Sequence, residues 1–524
     1  MGEPSSLQPV RALLSSHDGL AFAELARQLA SQGAEIWATS GTAKKLREHG
    51  IEARATDELT GISSWFGGRV KTLHPAIFGG ILAPRDQKGT QELNERGIKA
   101  FDLVAVELYP FEAARQRQPP LSEAEMIELI DIGGVSLLRA AAKNYPAVIV
   151  ISSPEDAAGV VQEMKRTGGT VALATRRGLA SATFRRTVLY DTAIQGWMSE
   201  SIVADRPFPL LSARCSGNET MRYGENPQQA AWVYLFNGGS KAEEPWPLEV
   251  LKGNTLSYNN YLDIDNSVSI VGRFSQPTAA VVKHATPCGV SSAADASEAL
   301  ARALDADPVA RYGCVIAVNS PVDDLLVEKL RGTFVDLIVA PSFSPTAMEA
   351  LQRRPKVKVV RFGGKMVDVY TPRRREARTA AGRLLVQECD QKPLVASTLK
   401  QVSRRSATPE ELTGLEFAWE VVRFVRSNAI VLAKGSTTTG IGGGQTSRVG
   451  AVREAIEVAG ARSQGSVMAS DAFFPFPDGI EVAGKAGITA VLHSGGSIRD
   501  EEVVAAADKF GMAMYTTGWR VFRH

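Results

Sequence analysis

The chain has 524 residues, 44% hydrophobic and 22% charged, which is an ordinary balance for a globular protein with several buried cores. Its 59 basic and 57 acidic residues give a net charge of +2, and with no long basic run this argues against a nucleic-acid-binding protein. The sequence contains no apolar run of about 18 residues, so no membrane span is predicted. The four cysteines form no CxxC pair, which indicates a reducing cytoplasm without disulfides or a cysteine-rich zinc site.

The first 200 residues alternate strand-like and helix-like segments. Apolar runs predict buried strands at 10–16, 35–40, 101–109 and 147–152. Between the first two, Phe22, Leu25 and Leu29 fall on one face of a predicted helix that ends at Gly33, and a second helix is predicted at 42–50. The alternation predicts a parallel sheet of βαβ units, whose ligands bind beyond the carboxyl ends of the strands.

A stretch containing Pro, Ser and Arg at 203–220 breaks this alternation and predicts a domain boundary. Beyond it, further strands are predicted at 279–285, 313–319, 335–342 and 488–493. The charge-rich stretch 371–380 either divides this second region in two or forms a solvated surface loop.

Ser40, Gly41 and Thr42 lie between a predicted strand and a predicted helix. Free backbone N–H groups and the positive end of the helix dipole at such a point suit a phosphate, and small residues allow it to approach closely. The ordinary alternative is N-capping of the helix by Ser40 or Thr42.

Two other segments in this region place charged residues beside glycines. Arg69 and Lys71 are two apart, so in an extended segment both point at one anionic ligand, although a basic surface loop is the commoner outcome. Asp131 follows an apolar run that predicts a strand end, where a buried carboxylate costs free energy unless it is paired or functional. Asp131 and Lys143 could form a proton-handling pair or only a structural ion pair.

Several segments of the second region also carry polar groups. Arg222 and Tyr223, in a polar loop, suit a planar or phosphate-bearing ligand. The glycine-rich run at 440–445 fails the GxGxxG pattern because it ends in Gln445, and the Walker-like run at 479–486 ends in Ala486, which has no hydroxyl for magnesium. Neither a Rossmann dinucleotide site nor an ATPase is therefore predicted.

The segment 470–481 contains three phenylalanines, two prolines and two aspartates. Phe473, Phe476 and Asp478 could form an aromatic wall with an acid beside it, suited to a flat heteroaromatic ring. A core aromatic cluster is the more common alternative, although the prolines favour a shaped loop.

At 281–290 the sequence VVKHATPCGV places Lys283 beside His284, one of only six histidines, where a strand ends. Taken alone, such a histidine is more often structural than catalytic. Cys288 has no partner cysteine three residues on and the chain has no HxE motif, so a deaminase-type zinc site is not predicted.

The chain resembles the bifunctional purine-biosynthesis family that joins phosphoribosylaminoimidazolecarboxamide (AICAR) formyltransferase to IMP cyclohydrolase. The resemblance runs over essentially the whole length and rests on six segments in family order, namely GGRVKTLHP, IDIGG…LRAAAKN, RYGENP, KHATPCG, SNAIVLAKG…GIGGGQTSR and SDAFFPFPD.

The resemblance implies an α/β fold with an N-terminal methylglyoxal-synthase-like parallel-sheet domain at 1–200, the cyclohydrolase. The formyltransferase domain is expected at 201–524, as two cytidine-deaminase-like α/β subdomains that split near 370 and lack the deaminase zinc. A cytoplasmic homodimer is also implied, with the formyltransferase site built across it and no metal required.

For formyl transfer from 10-formyltetrahydrofolate to AICAR, the resemblance implies that Lys283 and His284 act as the catalytic pair and that Asn428 orients the formyl group or His284. A histidine that titrates near neutrality can remove the proton from the weakly nucleophilic amine during attack. The implied nucleotide contacts are Arg222, Tyr223, Arg448 and Arg520, and the implied folate contacts are Phe473, Phe476 and Asp478.

For ring closure of the formylated product (FAICAR) to IMP, the carboxamide nitrogen attacks the formyl group and water leaves. The implied catalytic residues are Lys71, Tyr109, Asp131 and Lys143. The implied nucleotide and phosphate contacts are Ser40, Gly41, Thr42 and Arg69.

Several positions depart from the family pattern. The usual SVSDKTG appears as the shorter SSHDG at 15–19, without its Lys and Thr, which leaves one phosphate contact open. Glu107 replaces an Asn beside Tyr109, Gln228 replaces a His, and residues 310–314 differ from the usual SAFGG. Three hypotheses therefore stand: the bifunctional enzyme, a formyltransferase with an impaired cyclohydrolase, and a non-catalytic purine-nucleotide-binding protein.

Overall fold

The computed structural model describes residues 5–62, 65–200, 212–237, 247–363 and 375–524. Internal contacts divide the chain into two compact units, Met1–Ser212 and Ala213–His524. The domain limits 1–200 and 201–524 stay a prediction, because residues 201–211 lie outside the described residues. The predicted split near 370 also lies outside them.

The first unit is built on a parallel sheet. Its five strands are β2 (Arg11–Ser15), β3 (Glu35–Ala38), β4 (Arg54–Ala55), β5 (Leu103–Val106) and β6 (Ile149–Ile151). They are arranged in the order β4-β3-β2-β5-β6, and every neighbouring pair is parallel. A short antiparallel ribbon joins β1 (Ser6–Leu7) to β7 (Val171–Ala172).

Helices of the first unit follow its strands. They are α1 (Ala23–Ser31), α2 (Ser40–Glu48), α3 (Thr56–Thr60), α4 (Pro75–Leu82), α5 (Gln87–Glu95), α6 (Phe111–Arg115), α7 (Glu123–Glu128), α8 (Gly133–Lys143), α9 (Pro154–Thr167) and α10 (Leu173–Glu200). The predicted face of α1 is buried, since Leu25 and Leu29 are at most 1% exposed. The Ser153 hydroxyl accepts from the Asp156 N–H at 3.1 Å and caps α9, which ends at Gly168 with φ +70°.

The second unit contains one twelve-stranded sheet. Its strands are β10 (Leu248–Lys252), β11 (Thr278–Lys283), β12 (Thr286–Ser292), β13 (Cys314–Val318), β14 (Val335–Ala340), β15 (Lys358–Phe362), β18 (Lys400–Gln401), β19 (Ile430–Lys434), β20 (Thr437–Gly442), β21 (Val467–Ser470), β22 (Ala490–His493) and β23 (Ala513–Thr516). Two ribbons stand apart from the sheet, formed by β8 (Ser212–Met221) with β9 (Ala231–Asn237) and by β16 (Arg375–Ala380) with β17 (Arg383–Glu388).

The helices of this second unit flank the sheet. They are α11 (Tyr258–Val271), α12 (Ala296–Ala306), α13 (Asp324–Glu328), α14 (Pro345–Gln352), α15 (Pro409–Val422), α16 (Arg448–Ala459), α17 (Asp478–Lys485) and α18 (Asp500–Lys509). The largest core cluster includes apolar side chains of α11, α15 and the central strands, with Trp419 fully buried.

The twelve-stranded sheet is a repeat of two similar halves. Its order is β10-β15-β14-β13-β11-β12-β20-β19-β21-β22-β23-β18, and α11-β11-β12-α12-β13 in one half matches α15-β19-β20-α16-β21 in the other. Each half also has a strand glycine pressed against its helix. A Cβ added at Gly289 would lie 2.0 Å from the Ala303 oxygen, and one at Gly440 would lie 2.1 Å from the Ala455 oxygen.

The predicted fold class is confirmed: a parallel-sheet α/β unit precedes an α/β unit made of two similar halves. All the predicted strands occur, each shorter than the apolar run that predicted it. One local expectation is wrong, because the apolar run before Asp131 belongs to α7 and a turn and not to a strand. In the part of the chain described, no helix combines the length and the apolarity needed to cross a membrane.

Candidate active sites

The first unit has a cavity of about 480 Å³ at the carboxyl ends of β2, β3 and β5. This is the edge at which parallel α/β sheets bind their ligands. The predicted cyclohydrolase residues that line the cavity are Gly41, Thr42, Arg69, Lys71, Tyr109 and Asp131. Four sequence segments distant from one another therefore meet at one site.

The start of α2 contributes Gly41 and Thr42 to this cavity. A Cβ at Gly41 would meet no atom within 4 Å, so the backbone there is open to a ligand. The Thr42 hydroxyl accepts from the Ser16 N–H at 3.1 Å and so joins α2 to the loop after β2. Ser40 does not line the cavity, and its hydroxyl donates to Asp57 Oδ2 at 2.7 Å.

The shortened loop at 15–19 is held by residues that the sequence did not single out for binding. Glu107 Oε2 accepts from the Ser16 hydroxyl at 2.7 Å and from the His17 N–H at 3.2 Å. The Lys45 side chain packs over Gly19, where an added Cβ would lie 2.5 Å from Lys45 Cδ, and its ammonium donates to the Asp18 carbonyl. Because Lys45 also lines the cavity, a cation stands beside the loop that lacks the family's lysine.

Asp131 lies just before α8, where its Oδ1 accepts from the Gly134 N–H at 2.6 Å. Burial raises the pKa of Asp131, so at a given pH a larger fraction of Asp131 is protonated than of a surface aspartate. Burial, with a smaller effect from the Asp131 charge, also raises the pKa of Tyr109. The two groups are therefore suited to holding and moving protons.

The backbone on the N-terminal side of Asp131 is fixed by the Tyr190 hydroxyl of α10. The Tyr190 hydroxyl accepts from the Asp131 N–H at 2.9 Å and donates to the Leu129 carbonyl at 2.8 Å. Burial raises the pKa of Tyr190 to about 12, so the phenol keeps its proton for the second bond. No pattern in the sequence pointed to this contact, which joins residues about sixty positions apart.

The three predicted site cations of the first unit divide between two cavities. Lys71 and Arg69 line the cavity with Asp131, and the exposed Arg69 guanidinium pairs with Glu128. Lys143, at the far end of α8, lines a separate cavity of about 770 Å³ between α4, α8 and α10. Among the described residues no ion pair joins Lys143 to Asp131, so the predicted pair is not brought together.

In the second unit, one edge of the large sheet collects the predicted formyltransferase residues. Pairing of Ser291 with Thr437 and of Ile430 with Gly442 and Ser470 places the β11–β12 turn, the start of β19 and the ends of β20 and β21 at this edge. The parallel strands β22 and β23 also end there. We call this side of the sheet the His284 edge.

Lys283 is the last residue of β11, and His284 begins the tight turn between β11 and β12. His284 is exposed, and both it and Ala285 have φ +53°, a left-handed conformation that residues with a Cβ rarely adopt. The Lys283 ammonium donates to the Tyr312 carbonyl at 2.9 Å, which fixes the lysine beside the histidine.

Asn428 begins the segment that enters β19. Its backbone N–H and its amide Nδ2 both donate to the Gln445 carbonyl, at 3.1 and 2.9 Å. Next to it, the Ser427 hydroxyl donates to Asp471 Oδ2, and Asp471 is fully buried.

Arg448, predicted to contact the nucleotide, lies in a buried ion pair. Its Nη1 donates to Asp471 Oδ1, and to the Ser470 hydroxyl at 3.1 Å, with only 7% of the residue exposed. In this arrangement Arg448 holds the segment around Asn428, and its contact with a nucleotide stays a prediction.

The predicted folate contacts follow β21 on the His284 edge. Phe473 and Phe476 are exposed, whereas Phe474 between them is fully buried, so the aromatic cluster is part core and part open surface. Asp478 is exposed and begins α17.

The predicted nucleotide contacts outside this loop are also accessible. Arg222 is exposed beside the ring of Tyr223, and Arg520 is exposed beside Phe522. The Asn259 amide on α11 donates to the Glu225 carbonyl at 3.3 Å and so ties the Arg222 loop to that helix. Among the described residues, no group of three His, Cys, Asp or Glu side chains could hold a metal ion.

Comparison with known proteins agrees with this architecture. Residues 21–136 match the MGS-like domain, and residues 141–458 match the AICARFT/IMPCHase bienzyme. A bifunctional purine biosynthesis protein PurH of Bacillus cereus (strain AH820) is 42% identical over 98% of this chain and 99% of its own length, and those of Bacillus anthracis (strain A0248) and Bacillus cytotoxicus give the same figures. A solved structure titled "Crystal structure of ForH" is 35% identical over 35% of this chain and 96% of that chain, with a TM-score of 0.32. The chain therefore belongs to the AICARFT/IMPCHase bienzyme family, which combines AICAR formyltransferase and IMP cyclohydrolase in one purine-biosynthesis protein.

Proposed function

We propose that the His284 edge transfers the formyl group of 10-formyltetrahydrofolate to AICAR, and that the cavity of the first unit closes the product, FAICAR, to IMP. Three features support the assignment of the two reactions to two sites. The edge offers an exposed histidine beside a lysine, the cavity holds an aspartate with a raised pKa, and the two lie in separate units.

Formyl transfer needs a base and a donor for negative charge. In the proposed step the AICAR amine attacks the formyl carbon and His284 removes the amine proton. The Lys283 ammonium stabilises the negative charge that develops on the formyl oxygen, and the proton passes to N10 of tetrahydrofolate as the carbon–nitrogen bond breaks. Asn428 orients the formyl group, and Phe473 and Phe476 offer exposed faces to the folate ring.

Ring closure needs one group that both takes and returns a proton. In the proposed step the carboxamide nitrogen of FAICAR attacks the formyl carbon, Asp131 receives the N–H proton, and Lys71 stabilises the developing oxyanion. Asp131 returns its proton to the oxygen. Loss of the formamide N–H proton, as the resulting hydroxyl is protonated, then expels water and forms the C=N bond of IMP. The Tyr109 phenol, whose pKa is raised by burial, donates a hydrogen bond in the same cavity. Lys143 lines the other cavity, so no step is assigned to it here.

We also propose that the protein acts as a cytoplasmic homodimer. Large apolar side chains stand exposed on the His284 edge and beside it, which supports cover by folate and a second copy; they are Tyr312, Phe473, Phe476, Ile498 and Phe522. Light scattering is expected to give twice the 56.1 kDa mass of the chain, and a monomer at micromolar concentration would count against the dimer.

One observation carries the proposal: His284 is exposed at a turn beside the fixed ammonium of Lys283. The test gives AICAR with formylfolate in one assay and FAICAR alone in a second. His284→Ala is expected to reduce formyl transfer at least about 100-fold, the usual contribution of a general base, and to leave cyclisation unchanged. Equal loss of both activities would contradict the two-site assignment.

The loop at 15–19 and the placement of Lys143 favour one alternative, a formyltransferase whose cyclohydrolase is impaired. If FAICAR supplied to the wild-type protein gives no rise in IMP absorbance while formyl transfer proceeds, that alternative is correct.

A further inference from the structure

The turn that carries His284 is held by contacts that the catalytic assignment does not use. A left-handed conformation at two successive residues with Cβ atoms is unfavourable on its own. It persists only where surrounding groups fix it, and such conformations concentrate at functional sites. Surrounding groups must therefore hold Ala285 in this conformation and, through its backbone, fix the position of His284.

Helix α11 supplies two such groups, three residues apart and so on one face. Asp263 Oδ1 accepts from the Ala285 N–H at 2.6 Å, and Asn266 Nδ2 donates to the Ala285 carbonyl at 3.0 Å. The hydrogen-bonding groups on both sides of the Ala285 Cα are thus clamped by one helix. Burial raises the pKa of Asp263, against the opposing effects of the Ala285 N–H and of nearby His284.

Asn266 has a second contact that reaches the other catalytic segment. Its Nδ2 also donates to the Phe424 carbonyl at 3.2 Å, four residues before Asn428. One side chain therefore joins the His284 turn to the chain that leads into β19. In the other half of the repeat the equivalent turn, at 435–436, has one left-handed residue, Gly435 at φ +52°, and a glycine adopts this conformation without a steric cost.

The buried amide of Asn266 is committed to the two segments that it joins. The residue is 1% exposed, and its Oδ1 has no hydrogen-bond partner among the described residues. A buried acceptor without a partner costs free energy, and the two bonds that Asn266 Nδ2 donates to backbone carbonyls offset that cost. The two donated bonds are what the amide provides at this position.

We propose that Asp263 and Asn266 are positioning residues for formyl transfer, which fix the His284 turn and tie it to the segment that carries Asn428. The proposal rests on the proposed role of His284 as general base. Neither residue needs to touch a substrate, since both act through the backbone of Ala285.

The kinetic test compares Asp263→Ala with Asp263→Asn. Loss of the carboxylate in Asp263→Ala is expected to lower kcat for formyl transfer about tenfold, the effect of removing one charge-assisted hydrogen bond, while the KM for AICAR changes less than about twofold. Asp263→Asn keeps an oxygen that can accept from the Ala285 N–H, so most of kcat should return. Asn266→Ala is expected to lower kcat in the same way, and cyclisation by the first unit should be unaffected in all three variants.

Asn319→Ala is the matched control. Asn319 makes the same kind of bonds at the opposite end of β11, because its side chain accepts from the Thr278 N–H at 2.8 Å and donates to the Phe274 and Gln276 carbonyls at 2.9 Å. This variant should lower thermal stability and leave kcat of the folded enzyme within about twofold. A kcat loss equal to that of Asp263→Ala, or no rescue by Asp263→Asn, would overturn the proposal.

A second readout does not depend on activity. With histidine-selective ¹³C labelling, six histidine side-chain signals are expected, and His284→Ala identifies the one from the turn. Asp263→Ala should shift or broaden that signal and leave the other five unchanged, whereas Asn319→Ala should leave it in place. An unchanged His284 signal in Asp263→Ala would show that the clamp does not hold the turn, even if the wild-type protein transferred no formyl group.

Discussion

At the scale of single residues, the proposed cyclohydrolase cavity is completed by side chains that hold the shortened loop at 15–19. Lys45 lies three residues after Thr42 on α2, and its side chain packs over Gly19 and donates to the Asp18 carbonyl of this loop. Glu107 binds the same loop through Ser16 and His17. A cation beside the start of a helix is the arrangement that phosphates prefer, so Lys45 is the candidate to bind the phosphate in place of the lysine that the loop lacks.

We expect Lys45→Ala to raise the KM for FAICAR about fivefold with little change in kcat, because an exposed cation–phosphate contact strengthens binding and takes no part in ring closure. Lys44→Ala is the matched control, since Lys44 is exposed on the same helix and does not line the cavity. Continuous measurement of IMP formation separates KM from kcat. If both variants behave alike, Lys45 does not bind the substrate.

At the scale of elements, the sequence was most informative where a pattern is local. Apolar runs predicted β2, β3, β5 and β6 because parallel strands buried on both faces read as continuous apolar segments. The α7 helix was missed, although Ser122 and Glu125 form the capping box that marks a helix start. Reading that signal would have placed Asp131 in a turn between two helices.

Contacts between distant elements left no such local signal. The bond from Tyr190 to the Asp131 segment and the buried pair of Arg448 with Asp471 depend on how helices pack against strands. Resemblance to the family supplied the identity of the candidate site residues. Only the structure placed Lys143 in a different cavity from Asp131 and showed that Arg448 is paired within the protein.

We expect Tyr190→Phe to lower kcat for ring closure about tenfold while formyl transfer is unchanged. The substitution removes both bonds of the hydroxyl and leaves the Asp131 segment less fixed, at a cost of about 1–2 kcal/mol in the free energy of unfolding. Tyr145→Phe, outside the Asp131 cavity in the same unit, is the control. Equal kinetic losses in the two variants would mean that the Tyr190 effect is one of general stability.

At the scale of the whole molecule, two units with separate cores carry the two candidate sites. The second unit contains a histidine deep inside: His493 is 1% exposed, against Phe474 and near Arg448 and Asp500. Burial lowers the pKa of His493 to about 4, from an ordinary value of 6.5. Its uncharged form is therefore part of the folded core.

This depressed pKa makes the stability of the second unit depend on pH. Between pH 6.5 and 4 the unfolded chain binds a proton at His493 that the folded unit does not, so stability is full above pH 6.5 and falls by about 3 kcal/mol as the pH drops to 4. Chemical denaturation at a series of pH values should show this loss in the transition of the second unit. His493→Asn, which keeps an acceptor for the Gly495 N–H, should reduce the dependence; an unchanged pH profile would exclude His493 as its source.

The pairing of the two halves of the large sheet determines which turns and strand ends meet at one edge. Because β12 and β20 run antiparallel at its centre, the two hairpin turns face opposite ways, one with His284 and the other with Gly435. One half provides the Lys283–His284 turn, and the other provides Asn428 and the phenylalanine loop to that same edge, so the predicted formyltransferase residues there come from both halves. The Gly435 turn lies at the opposite edge of the sheet and contains none of the predicted site residues.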